Sequence, residues 1–336
     1  CKNALFWKKR CEAKGWVFSD EDYVPYDVDN AQGLDRWRRQ YWLFCRASKE
    51  SATFLERLKK LGDDGVVPEN TFRNCDFLDL ERLPDGITCI EERAFQGCSA
   101  LALKSLPEGI VEIGECAFNR CYKLALKSLP EGIVEIDDFT FYRCSALELK
   151  SLPDKLNYIG VSAFEECSTL ALTSLPEEID YIGNFAFTEC HALALTSLPD
   201  VITTIGRYAF SGCRNLALKS LPDEMTHISD FVFSGCSALA LTSLPKELLR
   251  IGWSSFDGCS ALALTSLPEE LSYIGQSAFQ DCRSLTLTSL PEKLTFIGYE
   301  AFINCSAIQI TILPETLRKF NIGEDAFKGC PFVSFT

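Results

Sequence analysis

A repeat of 23 residues governs most of this 336-residue chain. The consecutive segments CSALALTSLPKELLRIGWSSFDGC and CSALALTSLPEELSYIGQSAFQDC are identical over their first ten residues. Cysteine recurs at this spacing from Cys75 to Cys305, proline recurs with it from Pro84 to Pro314, and a phenylalanine lies three residues before each of these cysteines. A constant period of this length indicates a solenoid, because each copy can bury its apolar face only by stacking on its neighbours.

The second copy illustrates what one repeat is expected to form. Its segment LALKSL, residues 101–106, begins with the apolar and non-apolar alternation that is typical of a half-buried strand. Pro107 has no N–H to donate, so it predicts the end of that strand and the start of a turn. Ile110 and Ile113 are expected to return to the core, and Gly114 to allow a tight bend. Successive L-x-L strands would then stack in parallel at about 4.8 Å.

The arrangement C-x-x-L-x-L-x-S-L-P-x-x-L-x-x-I-G-x-x-A-F-x-x-C resembles the leucine-rich repeat of the BspA-like, or treponemal, type over residues 66–336. The resemblance implies an α/β repeat solenoid, a curved right-handed superhelix of about eleven 23-residue repeats with a parallel concave sheet of L-x-L strands. It also implies binding of other macromolecules without catalytic chemistry. The family occurs in bacterial surface proteins and, in expanded sets, in protists, so the resemblance does not fix a compartment.

Residues 1–65 differ from the repeats in composition, and we treat them as a separate unit. They contain four of the five tryptophans, and the segments 3–16, 34–50 and 51–62 read as amphipathic helices. A solenoid needs its terminal apolar face covered, so we expect these helices to form an α-helical N-terminal cap on the first repeat.

The same segment has a second resemblance. ALFWKKRCEAKGW followed by DRWRRQYW is similar to the stretch at and just beyond the end of an F-box. This resemblance implies the substrate-recognition arm of an F-box-type ubiquitin ligase. The first F-box helices, which contact the Skp-type adaptor, are absent from the sequence, so no adaptor-binding residue can be assigned.

Charge and motif content narrow the classes of function. Residues 1–65 carry 13 Lys and Arg against 11 Asp and Glu, whereas the rest of the chain carries 20 against 36. The repeat region therefore has a net negative charge, which repels phosphate backbones, so we do not expect a nucleic-acid partner. No run of about 18 apolar residues is present, so no membrane insertion is expected. The sequence has two histidines and no P-loop, G-x-S-x-G or H-E-x-x-H motif, so we expect neither an enzyme nor a cofactor.

The periodic cysteines are interpreted as buried structural thiols. Stacked identical positions have parallel Cα–Cβ vectors, which suit disulfides poorly, and a buried thiol behaves as a small hydrophobe. Metal binding is not expected either, because no C-x-x-C spacing occurs. Many reduced thiols favour a cytoplasmic or nuclear location, with the cell surface as the alternative. The predicted column comprises Cys98, Cys121, Cys144, Cys167, Cys190, Cys213, Cys236, Cys259, Cys282 and Cys305.

Candidate partner-binding residues lie where the repeats differ from one another. One variable column precedes the core isoleucines, and a neighbouring aromatic set lies in the G-x-x-A-F segments; these rings either select a partner or simply cover the surface. Three lysines on the predicted concave strands are further candidates. The variable column consists of Tyr158, Tyr181, His227, Arg250, Tyr273 and Phe296, the neighbouring set of Phe185, Tyr208, Phe231, Trp253 and Tyr299, and the lysines of Lys104, Lys127 and Lys150.

These observations predict a non-catalytic, intracellular protein–protein interaction scaffold, with the F-box-type ligase arm as its most specific form. Two alternatives remain: a bacterial BspA-like surface adhesin with Cys1 as a lipidated terminus, and a structural subunit of a larger assembly. The final segment CPFVSF, residues 330–335, can form one last strand with an open apolar edge. We therefore also predict self-association or a partner at this C-terminal edge.

Overall fold

The computed structural model describes residues 65–76, 78, 80–317 and 321–331. The predicted α-helical cap over residues 1–65, apart from Gly65, and the apolar residues of the predicted last strand lie outside these ranges. Within the described ranges the chain is a regular stack of repeats around one continuous apolar core.

The described residues contain ten two-residue β-strands, each ending at the core isoleucine of its repeat or, in the first strand, at Val67. The repeat around Ile205 has no strand and contributes a single bridge. All paired strands are parallel, and their register shifts by one 23-residue repeat, as in the pairs Tyr158 with Tyr181 and Ile159 with Ile182. The strands are β1 Val66–Val67, β2 Cys89–Ile90, β3 Glu112–Ile113, β4 Glu135–Ile136, β5 Tyr158–Ile159, β6 Tyr181–Ile182, β7 His227–Ile228, β8 Arg250–Ile251, β9 Tyr273–Ile274 and β10 Phe296–Ile297.

These strands form three separate sheets rather than one. The first contains β1 to β3, the second β4 to β6 and the third β7 to β10. Single bridges between Ile182 and Ile205, and between Ile297 and Ile322, extend the second and third sheets by one residue pair each. A short 3-10 helix, Glu315–Leu317, follows the last periodic proline.

The prediction of an L-x-L strand over residues 101–106 is wrong. No strand is present there, and successive L-x-L segments are joined by single hydrogen bonds, such as the 3.1 Å bond from the Ala125 N–H to the Leu103 carbonyl oxygen. The alternation did identify the side chains that point inward, since Leu101 and Leu103 are fully buried. An extended backbone alone is enough to bury alternate side chains. A sheet also needs a ladder of backbone hydrogen bonds between neighbouring segments.

Phenylalanine forms the centre of the core. The rings of successive repeats stack almost parallel from Phe72 to Phe327, with centroids 5.0–5.8 Å apart. The L-x-L leucines and the core isoleucines belong to the same core and are nearly without solvent contact. Burial of a side chain of this size contributes about 1.5–3 kcal/mol, so the core is stabilised almost equally in every copy.

Glycine after the core isoleucine lets neighbouring repeats approach closely. The N–H of Gly206 donates to the carbonyl oxygen of Ile182 at 2.9 Å, and seven other glycines make the same bond in their own repeats. A Cβ added at Gly206 would lie 2.4 Å from the backbone nitrogen of Asn184. A side chain at Gly206 would therefore overlap the backbone of the preceding repeat.

The two boundaries between the sheets coincide with the loss of this glycine. Asp137 follows β4 and Ser229 follows β7, at the positions that glycine holds in most repeats. In the described part of the chain neither residue's N–H bonds the isoleucine of the preceding repeat; the Ser229 hydroxyl donates to the Ile205 carbonyl instead. Glu91 is the exception, because its N–H still donates to Val67 at 2.9 Å. Replacing the glycine thus accompanies each interruption of the sheet.

Candidate binding surface

The variable column predicted from the sequence is a row on the outer side of the sheets. In each two-residue strand the second residue, isoleucine in all but β1, is buried in the core and the residue before it is at least partly exposed, as alternation along a strand requires. We call this set the outer row. It contains Tyr158, Tyr181, His227, Arg250, Tyr273 and Phe296, one from each of β5 to β10.

The parallel register brings members of the outer row into direct contact. The rings of Tyr158 and Tyr181 stack with centroids 5.1 Å apart. In the third sheet Tyr273 and Phe296 stack at 4.8 Å, and the Arg250 guanidinium lies 4.1 Å from the centre of the Tyr273 ring. The row is therefore two clusters, one on each side of the second sheet boundary.

Trp253 joins the second cluster from the neighbouring turn. Its backbone N–H donates to the Asp230 carboxylate at 2.8 Å, and its indole N–H donates to the Tyr273 hydroxyl at 3.3 Å. The indole is thus held beside the outer row while 46% of the residue stays exposed. The sequence placed Trp253 in the aromatic set but gave no signal that it bonds Tyr273, since the two residues lie in different repeats.

A second aromatic stack lies in the turns after the strands. Phe185 and Tyr208 stack at 4.7 Å, and Tyr208 and Phe231 stack at 4.4 Å. All three have positive φ, between 59° and 60°, a conformation that costs an ordinary side chain roughly 1–2 kcal/mol. Because Tyr208 and Phe231 lie on either side of the boundary before β7, this stack spans the place where the backbone ladder is interrupted.

The three candidate lysines lie on a different part of the repeat. Lys104, Lys127 and Lys150 are exposed on the segments before the prolines, whereas the outer row lies after them. Among the described residues, none of these lysines has an ion pair with an acidic side chain. The structure therefore does not combine the lysines and the outer row into one surface.

All ten cysteines of the predicted column are fully buried free thiols. Each thiol lies 2.9–3.2 Å from the carbonyl oxygen of a phenylalanine 26 residues earlier and donates to it. Burial is the largest cause that raises the pKa of thiols such as Cys121 and Cys190 above the ordinary value. Since the thiolate is the reactive form, these groups are poor nucleophiles and poor metal ligands.

Acidic side chains collect at the first sheet boundary. Burial raises the pKa of Asp137, and the nearby carboxylates of Glu135, Asp138, Glu112 and Glu115 raise it further.

The described residues hold no group of three or more His, Cys, Asp or Glu side chains arranged for a metal ion. Within the same ranges, no helix has the length and apolar character needed to span a membrane.

A family model matches the repeats directly. Residues 66–194, 167–263 and 203–334 match the model described as BspA type leucine rich repeat region (6 copies). The chain belongs to this BspA type leucine-rich repeat family. The resemblance seen in the cysteine, proline and phenylalanine register is thereby confirmed, while the F-box resemblance lies in residues 1–65, before the matched region.

Three solved structures illustrate the similarity of this BspA type chain to bacterial proteins. A leucine-rich repeat protein from Bacteroides ovatus is 26% identical over 73% of this chain and 80% of its own, with a TM-score of 0.39. A leucine rich cell surface protein from Faecalibacterium prausnitzii is 23% identical over 66% and 75%, with a TM-score of 0.41. The Treponema pallidum leucine rich repeat protein is 28% identical over 54% and 76%, with a TM-score of 0.34. No curated protein matches the chain.

Proposed function

We propose that this BspA type solenoid is a non-catalytic binding protein that holds a protein partner on its outer row. The observation that carries the proposal is the stacking of exposed or half-buried tyrosine, arginine and phenylalanine side chains on hydrogen-bonded strands, at 4.1–5.1 Å. Tyrosine, tryptophan and arginine are the residues that most often dominate the binding energy of protein interfaces. Stacking also restricts their rotamers before binding, so less conformational entropy is lost on association.

The orientation of the rings favours a protein over a carbohydrate. A sugar ring packs on an open aromatic face, but the faces of Tyr273 are occupied by Arg250 and Phe296. Ring edges, hydroxyls and guanidinium N–H groups remain for a partner, and these suit the mixed apolar and polar contacts of a protein surface.

We infer a cell-surface adhesin role in preference to the cytoplasmic or nuclear ligase arm. Many reduced thiols favour a cytoplasmic or nuclear location, but a buried thiol with a raised pKa is protected from oxidation in the folded protein. BspA type repeats occur in bacterial surface proteins, which supports the same location. The ligase arm depends on residues 1–65, and neither the described structure nor the family match adds support for it.

Site-specific crosslinking on the full chain tests the proposal. A photoreactive phenylalanine analogue replaces Tyr181 on the outer row in one protein and Thr196, exposed on an L-x-L segment, in the other. We expect a protein partner to be captured from Tyr181 and not from Thr196. The purified partner should bind the Tyr158→Ala, Tyr181→Ala double variant roughly tenfold or more weakly than the parent chain. Equal capture at both positions, or none at Tyr181, refutes the proposal.

A further inference from the structure

An arginine–aromatic cluster with exposed apolar side chains lies on and beside β8 to β10. It consists of Leu249, Arg250, Trp253, Tyr273 and Phe296. Leu249, Trp253 and Phe296 expose 40%, 46% and 38% of their surface. The indole bond to the Tyr273 hydroxyl and the two ring contacts of Tyr273 join Trp253, Arg250 and Phe296 to Tyr273.

Arg250 is the one charged residue of the cluster. Asp230 pairs with Arg207 at 3.1 Å, and Glu270 pairs with Lys293 at 2.6 Å. Arg250, by contrast, has no acidic partner within 4 Å among the residues that the structure describes. In a chain of net charge −14, an exposed arginine without an ion pair is a local reversal of charge.

The geometry of Arg250 leaves its hydrogen-bonding groups available. A guanidinium that stacks on a ring uses its planar face, while its N–H donors lie in the plane and point away from the ring. Those donors match the two oxygens of a carboxylate in a bidentate pair. The neighbouring exposed leucine, tryptophan and phenylalanine would contact apolar side chains beside that carboxylate.

We propose that this cluster recognises a protein segment that carries an Asp or Glu side chain flanked by bulky apolar residues. The carboxylate pairs with Arg250, and the apolar side chains pack on Leu249, Trp253 and Phe296. This inference rests on the proposed function, because it gives the chemistry of the partner for one of the two clusters of the outer row. It assigns no role to Tyr158 or Tyr181, which lie in the second sheet.

Selection from a random phage-displayed peptide library on the full folded chain tests the inference. We expect the enriched peptides to share an acidic residue next to aromatic or aliphatic residues. Synthetic versions are then titrated by fluorescence anisotropy at low and high salt. Arg250→Glu should weaken binding by at least roughly tenfold, because it places two carboxylates together, and Arg250→Lys should give an intermediate loss. Trp253→Ala should weaken binding at both salt concentrations.

A matched control separates this effect from a general change of charge. Arg283 is exposed and pairs with Asp281 in another part of the repeat, so Arg283→Glu makes the same charge change away from the cluster. We expect it to leave the affinity unchanged, with the melting temperatures of all variants measured alongside. The inference is overturned if no peptide is enriched, if the enriched peptides lack an acidic residue, or if Arg250→Glu and Arg283→Glu weaken binding equally. Capture at Tyr181 would still support the proposed function in each of these cases.

Discussion

The thiol of Cys190 donates a hydrogen bond to the carbonyl oxygen of Phe164, 3.0 Å away and 26 residues earlier in the chain. The same bond recurs in the neighbouring repeats, so each thiol joins its own repeat to the preceding one by a hydrogen bond. The periodic cysteine is therefore a donor for a buried carbonyl as well as a filler of the core.

The first prediction concerns this bond. Cys190→Ala should lower the free energy of unfolding by about 1–3 kcal/mol, because it leaves a small cavity and a buried carbonyl without its donor. Cys190→Ser should cost less than Cys190→Ala, since a hydroxyl can donate to the Phe164 carbonyl. Urea unfolding followed by circular dichroism measures the free energy of unfolding of both variants. Cys89→Ala is the control, because Cys89 is only half-buried. Equal stability of Cys190→Ala and the parent chain would show that the bond contributes nothing.

The second prediction concerns the reactivity of the thiols. Burial raises the pKa of Cys121, Cys190 and their equivalents, so the ten column thiols should not react with a thiol reagent in the native protein near neutral pH. All 17 cysteines of the chain should react after denaturation without reductant. Mass spectrometry of labelled peptides identifies which residues react. Labelling of Cys190 in the native state at the rate of a free peptide thiol would contradict the structure.

The third prediction concerns the close approach of repeats at glycine. Gly206→Ala should destabilise the protein by about 1–3 kcal/mol, because the new Cβ would overlap the backbone of the preceding repeat. Gly109→Ala is the matched control, since its Cβ would make ordinary contact with the Ile87 carbonyl oxygen at 3.6 Å. Thermal melting of the two variants should differ clearly. A similar melting temperature for both would show that the repeats can separate at little cost.

The fourth prediction concerns pH at the first sheet boundary. Because burial and neighbouring carboxylates raise the folded-state pKa of Asp137 above 3.8, its ionised form is less favourable in the folded protein than in the unfolded chain. This destabilisation is present at neutral pH. It is relieved as the pH falls through the folded pKa, and the relief is complete below 3.8. Asp137→Asn should therefore melt at a higher temperature than the parent chain at neutral pH, with the difference shrinking in acid.

A control and a second variant sharpen the pH experiment. Asp154→Asn removes a carboxylate from an exposed turn and should change the melting temperature little at any pH. Asp137→Gly removes the charge and also introduces the glycine that, in most repeats, donates its N–H to the isoleucine of the preceding repeat. It should therefore stabilise the protein more than Asp137→Asn does. Melting curves for Asp137→Asn and the parent that stay parallel across the pH range would contradict the assignment.

Much of the fold and the membership of the outer row could be predicted from the sequence. The spacing of Cys190 from its equivalents identified the repeat, and the alternation around Leu103 and Ile113 identified which side chains are buried. Tyr158, Tyr181 and Arg250 stood out as variable positions against a nearly constant background. These features depend on side-chain burial, which leaves a direct periodic trace in the sequence.

The tertiary structure alone decided which segment carries the hydrogen-bonded strands, where the sheets are interrupted and which outer residues touch. An extended segment buries alternate side chains whether or not its backbone is paired, so Leu103 could not be distinguished from Ile113 as a strand residue. Pairing accompanies the hydrogen bond that the Gly206 N–H makes to the preceding repeat and that the N–H groups of Asp137 and Ser229 do not make. Contacts such as Arg250 on Tyr273 join residues of different repeats, so they depend on how the repeats stack and have no local pattern in the sequence.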